Sequence, residues 1–160
     1  GRPTQTFAKD YTLKLGDAEV RLYSFGRGHT GDDTMVYFPD MKVVMVSDQF
    51  TDATPIIDFA NGGSAVEIAN SLEKGYNGIK NVDTIITGHS TQMTWGDLKE
   101  YIQFNRDFVN DVRAAMKAGK TVDEVVASWK IPARYAGYAV PDPGRLKNSV
   151  ALAFKELGGR

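Results

Sequence analysis

The 160-residue sequence predicts a layered α/β fold of about five strands, with one helix between the fourth and fifth strands and three helices after the last. Three observations carry that expectation. Apolar and polar residues alternate between Tyr11 and Phe25, and two short strand-like runs, Lys42–Val46 and Val82–Thr87, each stop at a loop. Helical spacing of apolar residues, opened by capping residues, recurs over 64–78, 94–119 and 121–132.

Residues 1–10 are polar and unpatterned and read as a loose terminus. Tyr11, Leu13 and Leu15 alternate with Thr12 and Lys14, Gly16-Asp17 offers a tight turn, and Val20 and Leu22 resume the alternation, so the first two strands form a hairpin. Three glycines around His29 interrupt the pattern between Gly26 and Asp33, and Thr34–Phe38 is a third strand closed by the Pro39-Asp40 turn. Lys42–Val46, being continuously apolar, reads as a strand covered on both faces. Residues 49–63 read as a long loop punctuated by Pro55 and Gly62-Gly63. Ser64 and Glu67 form a capping box for a helix carrying Ala65, Ile68, Ala69 and Leu72 to about residue 78, and Val82–Thr87 follows as the fifth strand. Thr94 with Asp97 caps a long helix ending at Gly119, and Thr121 with Glu124 caps a shorter one that Pro132 stops. Leu146, Val150, Ala153, Phe154 and Leu157 mark a terminal helix before Gly158-Gly159.

Composition narrows the function. A chain of this length is one domain, 1–160, able to bury about two-thirds of its unfolded surface. Its net charge of −1, without a basic cluster, argues against nucleic acid as a partner, and no apolar run approaches the roughly 20 residues of a membrane span. The absence of cysteine excludes disulfides, thiolate zinc sites and a cysteine nucleophile. A start at Gly1 without methionine or apolar leader points to processing or trimming, and the compartment is open between cytoplasm and periplasm.

The candidate chemistry lies at strand ends. The sequence has two histidines, His29 and His89, each in a Gly-His-(Thr/Ser) triplet just past a strand, and Asp48 ends the apolar run through Ser47. Two imidazoles and a carboxylate suit zinc, iron or manganese. A glycine before each histidine would let the backbone turn sharply, and Thr30, Ser90, Asp32 and Asp33 are groups that could hold an imidazole in one tautomer. Each triplet alone reads more simply as a turn, and a strand-end aspartate as a cap. Their joint occurrence favours a metal site. Gly26, Gly28 and Gly31 do not lie between a strand and a helix as a dinucleotide fingerprint requires, and no G-x-S-x-G elbow supports a serine hydrolase.

The run SFGRGHTGDDTMVYFPDMKVVMVSDQF, followed by VDTIITGHSTQMTWGDLKEYIQF, resembles the metallo-β-lactamase fold superfamily, in which a G-H-T turn, an apolar strand ending in G-D and a later G-H-G strand recur in this order. The likeness is best over 11–119, leaving 120–160 as a helical C-terminal extension. The resemblance implies half of an αββα sandwich: about five mostly antiparallel strands with helices on one face. It also implies that His29 is a ligand of a first metal, Asp48 a bridging carboxylate and His89 a ligand of a second. Ser47 and Ser90 stand where the family pattern has glycine.

The family's H-x-H-x-D-H motif, which supplies most ligands and the proton-handling aspartate, has no counterpart here. The expectation is therefore a C-terminal half, a hydrolase-like domain inactive alone. No catalytic residue beyond the three ligands can be named, and zinc is the expected ion, weakly held or absent in the isolated chain. The open sheet face would be covered by a second copy, giving a homodimer, or by a separate N-terminal half. Two alternatives stand beside it: a non-catalytic binding or oligomerisation module, and a mononuclear metal site in a homodimer.

Overall fold

A computed structural model describes residues 2–89 and 92–158. Six strands form one sheet in sequence order: β1 (Asp10–Leu15), β2 (Ala18–Tyr23), β3 (Met35–Phe38), β4 (Val43–Ser47), β5 (Thr84–Thr87) and β6 (Met93–Thr94). The first four are an antiparallel meander. Helix α1 (Ile68–Gly78) then crosses over, so β5 lies parallel to β4, and β6 returns antiparallel. Helices α2 (Trp95–Lys117), α3 (Val122–Ser128) and α4 (Pro143–Glu156) complete the chain. The sheet has one strand more than expected because β6 is two residues long, too short to show a period, and its Thr94 also caps α2.

The turns follow local chemistry. Gly16 takes φ 61 between β1 and β2, a left-handed conformation that costs glycine nothing. The caps of α2 and α3 are complete boxes: the Thr94 and Thr121 hydroxyls accept from the amides of Asp97 and Glu124, whose carboxylates accept in return. The Ser64 box is only half made. Ser64 Oγ accepts from the Glu67 amide at 3.0 Å, but the Glu67 carboxylate pairs with Arg27 instead, and α1 begins at Ile68. At α4 the Asp142 side chain accepts from the Gly144 and Arg145 amides, with Pro143 in the first turn.

Helices cover one face of the sheet. Met35, Tyr37, Val44, Val46 and Ile85 point into the core with Leu72, Leu98, Tyr101, Phe104 and Phe108. On the other face the cross-strand pairs Tyr11↔Leu22, Leu22↔Val36, Val36↔Met45 and Met45↔Ile86 line up as one apolar row across five strands. None of that row is buried, and Met45 and Ile86 are 41% and 46% exposed. This corrects the expectation for β4: its run is apolar throughout, yet Val44 and Val46 are buried while Met45 and Ser47 are exposed, so helices cover one face only. Among the described residues no helix is long and apolar enough to cross a membrane.

The helical layer is tied by one carboxylate. Asp107 on α2 accepts from the Tyr135 hydroxyl, from Arg134 and from Gln103 Nε2 at 3.0 Å. Burial acts to raise its carboxyl, but the Tyr135, Gln103 and Arg134 hydrogen bonds outweigh it and hold the group below the ordinary carboxylate range. A depressed folded-state value gives stability that is present above the unfolded value and lost as pH falls through the folded one. Asp107→Asn is therefore expected to lower stability at neutral pH by about 1 kcal/mol and to flatten the acid limb below about pH 4. Urea titrations at several pH values check this, and parallel acid limbs in both proteins would contradict it.

Candidate metal centre

The three strand-end residues meet at one edge of the sheet. β2 and β4 end there and β3 begins there, because adjacent strands of the meander run in opposite directions. β5 ends there too, because it is parallel to β4, with Ser47 opposite Thr87 across a bulge. Asp48 follows Ser47, His89 follows Thr87 and Gly88, and His29 sits in the loop between β2 and β3.

Asp48 lies between the histidines. His29 Nε2 is 3.7 Å from Asp48 Oδ2, and His89 Nε2 is 3.2 Å from Asp48 Oδ1. His29 and Asp48 are each 23% exposed in their side chains, whereas His89 is 64% exposed. Among the described residues no three His, Asp or Glu side chains are arranged to hold an ion as they stand. The set is right in kind, two imidazole nitrogens and a carboxylate, and short in number.

The tautomer of His29 is set by the backbone. Its Nδ1 lies 2.8 Å from the Ile56 carbonyl, and because a carbonyl oxygen only accepts, Nδ1 carries the proton. In the neutral ring Nε2 then presents a lone pair toward Asp48 Oδ2. Two acceptors facing one another are unfavourable until a cation or proton lies between them, which is the arrangement of a ligand nitrogen oriented by an outer partner. That partner is Ile56, not Thr30, Asp32 or Asp33. Asp33 Oδ1 instead accepts from the Thr30 amide at 3.0 Å and the Thr30 hydroxyl at 2.6 Å, which shapes the loop. Ser90 lies outside the described residues.

The glycines act through space, not through φ. Neither Gly28 nor Gly88 has a positive φ. A Cβ on Gly88 would overlap the Asp48 carboxylate, and one on Gly28 would come 2.6 Å from Asp33 Oδ2. Gly63, which read as loop punctuation, leaves room for the His29 carbonyl, which accepts from the Asp58 amide at 2.8 Å. The residue that takes the left-handed conformation is Ser47, at φ 50, where glycine would carry no strain.

Residues 49–58 form a loop only in lacking regular structure. Gln49, Phe50, Thr51, Ala53, Thr54 and Ile57 are all buried. The loop's polar groups are met by Arg145 and Ser149 of α4, which sequence reasoning missed because each makes its contact across 94 residues of chain. Arg27, beside the His29 turn, donates to the Gly62 and Gly63 carbonyls and faces Glu156 of α4 at 3.6 Å.

Comparison with known proteins agrees with this architecture. No family model matches the chain. It is 25% identical over 134 residues to the metallo-β-lactamase type 2 of Elizabethkingia meningoseptica, covering 73% of this chain and 46% of that protein. A metallo-β-lactamase from Pontibacter korlensis superposes with a TM-score of 0.59 at 21% identity, over 66% of this chain and 50% of that one. The stereoselective inverting sec-alkylsulfatase Pisa1 from Pseudomonas sp. superposes with a TM-score of 0.68 at 18% identity, over 96% of this chain and 26% of that one. A doubly substituted form of the sulfatase reaches 0.73 at 16% identity, over 99% and 27%. The chain has the metallo-β-lactamase fold. Within that fold it spans about half the length of the two lactamases and about a quarter of the sulfatase.

Two substitutions separate strain from space at this edge. Ser47→Gly is expected to leave stability unchanged or raise it by up to about 1 kcal/mol by relieving the left-handed backbone, whereas Gly88→Ala should lower it by about 1–3 kcal/mol and turn Asp48 away from His89. Thermal melts of both variants decide. A Gly88→Ala protein as stable as the parent would show that Asp48 has other room.

Proposed function

We propose that this chain supplies one half of a divalent-metal site in a metal-dependent hydrolase, with His29, Asp48 and His89 as its ligands and the remaining ligands donated by residues outside these 160. The observation that carries the reading is the convergence of the two imidazole Nε2 atoms of the chain on the two oxygens of one carboxylate. Zinc fits the nitrogen and oxygen donors best, and iron or manganese fits them as well. When bound, such an ion polarises a scissile carbonyl, phosphoryl or sulfuryl group and acidifies water.

The chain's own residues orient and space the site. Ile56 keeps Nε2 of His29 free, Gly88 gives the Asp48 carboxylate its room, and exposed His89 remains accessible to a completing surface. The reading is of a reaction class, since one fold serves many substrates. It predicts weak zinc uptake by the 160-residue chain alone and tight, stoichiometric uptake once the chain is joined to the missing half of the fold. Calorimetric titration of the joined protein and its His29→Ala, Asp48→Asn and His89→Ala variants tests it. Equal uptake by the joined protein and all three variants would rule these residues out as ligands.

The same half fold accounts for the open sheet face. Leu13, Leu15, Met45 and Ile86 are exposed apolar side chains on it, and such a contiguous apolar face supports its reading as a protein interface. In this reading it is covered by the completing half or, in its absence, by a second copy. At tens of micromolar the chain alone should sediment as a dimer or larger, and Met45→Glu with Ile86→Glu should return it to a monomer of unchanged circular dichroism. A parent protein that is well folded and strictly monomeric contradicts this part of the proposal.

A further inference from the structure

One face of α4 holds the loop that orients His29. Arg145, Ser149 and Glu156 lie on that face, and each reaches a different part of the surroundings of the site. Arg145 Nη2 donates to the Thr51 hydroxyl at 3.0 Å and to the Thr54 carbonyl at 2.5 Å. Ser149, 2% exposed, donates from Oγ to the Pro55 carbonyl at 3.0 Å. The next carbonyl in the chain is that of Ile56, which receives the proton of His29 Nδ1. Glu156 accepts from the Ser64 hydroxyl and the Val66 amide and faces Arg27, two residues before His29.

We propose that Arg145 and Ser149 are positioning residues for His29: by fixing segment 51–55 at Thr51, Thr54 and Pro55 they aim the Ile56 carbonyl at Nδ1 and thereby decide which ring nitrogen carries the proton. The inference rests on the reading of His29 as a ligand and extends it to residues that touch neither the ring nor its partners. The ring has two competing bonds. With the proton on Nδ1 it donates to Ile56 and leaves Nε2 as a donor of electron pairs. With the proton on Nε2 it donates instead to Asp48 Oδ2, now 3.7 Å away, which takes both His29 and one oxygen of Asp48 out of the ligand set. An acceptor on a segment without helix or strand would turn away readily, because its peptide planes are not in a ladder. Two α4 side chains take the place of that ladder.

The test reads the tautomer directly. The chain has only two histidines, so proton–nitrogen correlation spectra of the imidazoles contain two rings, and the spectrum of a His89→Gln variant assigns them. At fixed alkaline pH, without metal, the full chain should show His29 mostly with the proton on Nδ1. Ser149→Ala and Arg145→Gln should each raise the Nε2-protonated population of His29 by about three- to tenfold, the ratio that one hydrogen bond commands, while Ser149→Thr, which keeps the hydroxyl, behaves as the parent. The substitutions remove single side-chain contacts, and near-ultraviolet circular dichroism confirms the fold. If the double variant melts, the two single variants decide. An unchanged His29 ratio in folded variants, or a parent with the proton mostly on Nε2, overturns the inference. Zinc titration of the joined protein separates the two readings. A tautomer shift without zinc uptake removes the metal reading and leaves the positioning role standing, and uptake without a shift does the reverse.

Discussion

The parallel pairing of β4 with β5 is the constraint on which the site depends. In an antiparallel pair the ends of consecutive strands fall on opposite edges, so a residue after β4 and a residue after β5 would lie a strand length apart. The α1 crossover makes the two strands parallel, and Ser47 opposite Thr87 then brings Asp48 and His89 to the same edge within 3.2 Å. His29 arrives by the other route, as the loop between two antiparallel strands whose open end faces that edge. Leu72 and Ile68, which pack the crossover under the sheet, therefore act on the spacing of Asp48 and His89.

A second constraint comes from burying an irregular segment. Loops normally run over the surface because their backbone groups need water. Here Phe50, Ala53 and Ile57 draw the segment inward, and its carbonyls would be left unsatisfied without partners from α4. Tyr101, whose hydroxyl is pushed upward by burial and lies 3.2 Å from Thr51 Oγ1, closes the same network from α2. The helices after the last long strand are thus coupled to the site, which accords with the sulfatase likeness extending over nearly the whole chain.

The legibility of the molecule followed the range of the forces involved. The β1–β2 hairpin, the α2 and α3 caps and the order of strands and helices rest on contacts between residues near in sequence, and the pattern of residues foretold them. The strand-end placement of His29, Asp48 and His89 was legible too, because strand-end position is a local property once strand direction is known. What sequence could not show is carried by groups without a residue signature. Any amino acid at position 56 would offer the same carbonyl, and the left-handed Ser47 is the conformation glycine would have announced. The one-sided exposure of β4 was hidden in its own residues, since a continuous apolar run looks alike whether its second face meets a helix or an interface, and only the resemblance to half of a sandwich implied an open face.

The open face and the incomplete site lie next to each other, and this bears on what completes them. Met45 is three residues before Asp48 and Ile86 three before His89, a separation of at most about 10 Å even for fully extended chain. A surface that covers the Met45–Ile86 row would therefore lie beside His29, Asp48 and His89, which is where the proposed completing ligands must arrive. The converse does not hold: a small molecule or peptide binding only at the three residues would leave the apolar row in water. Burial of the row contributes about 25 cal/mol per Å² of apolar surface, a driving force that is present before any ion binds. In the proposed reading, association through the sheet face therefore comes first, and the metal site forms as its consequence.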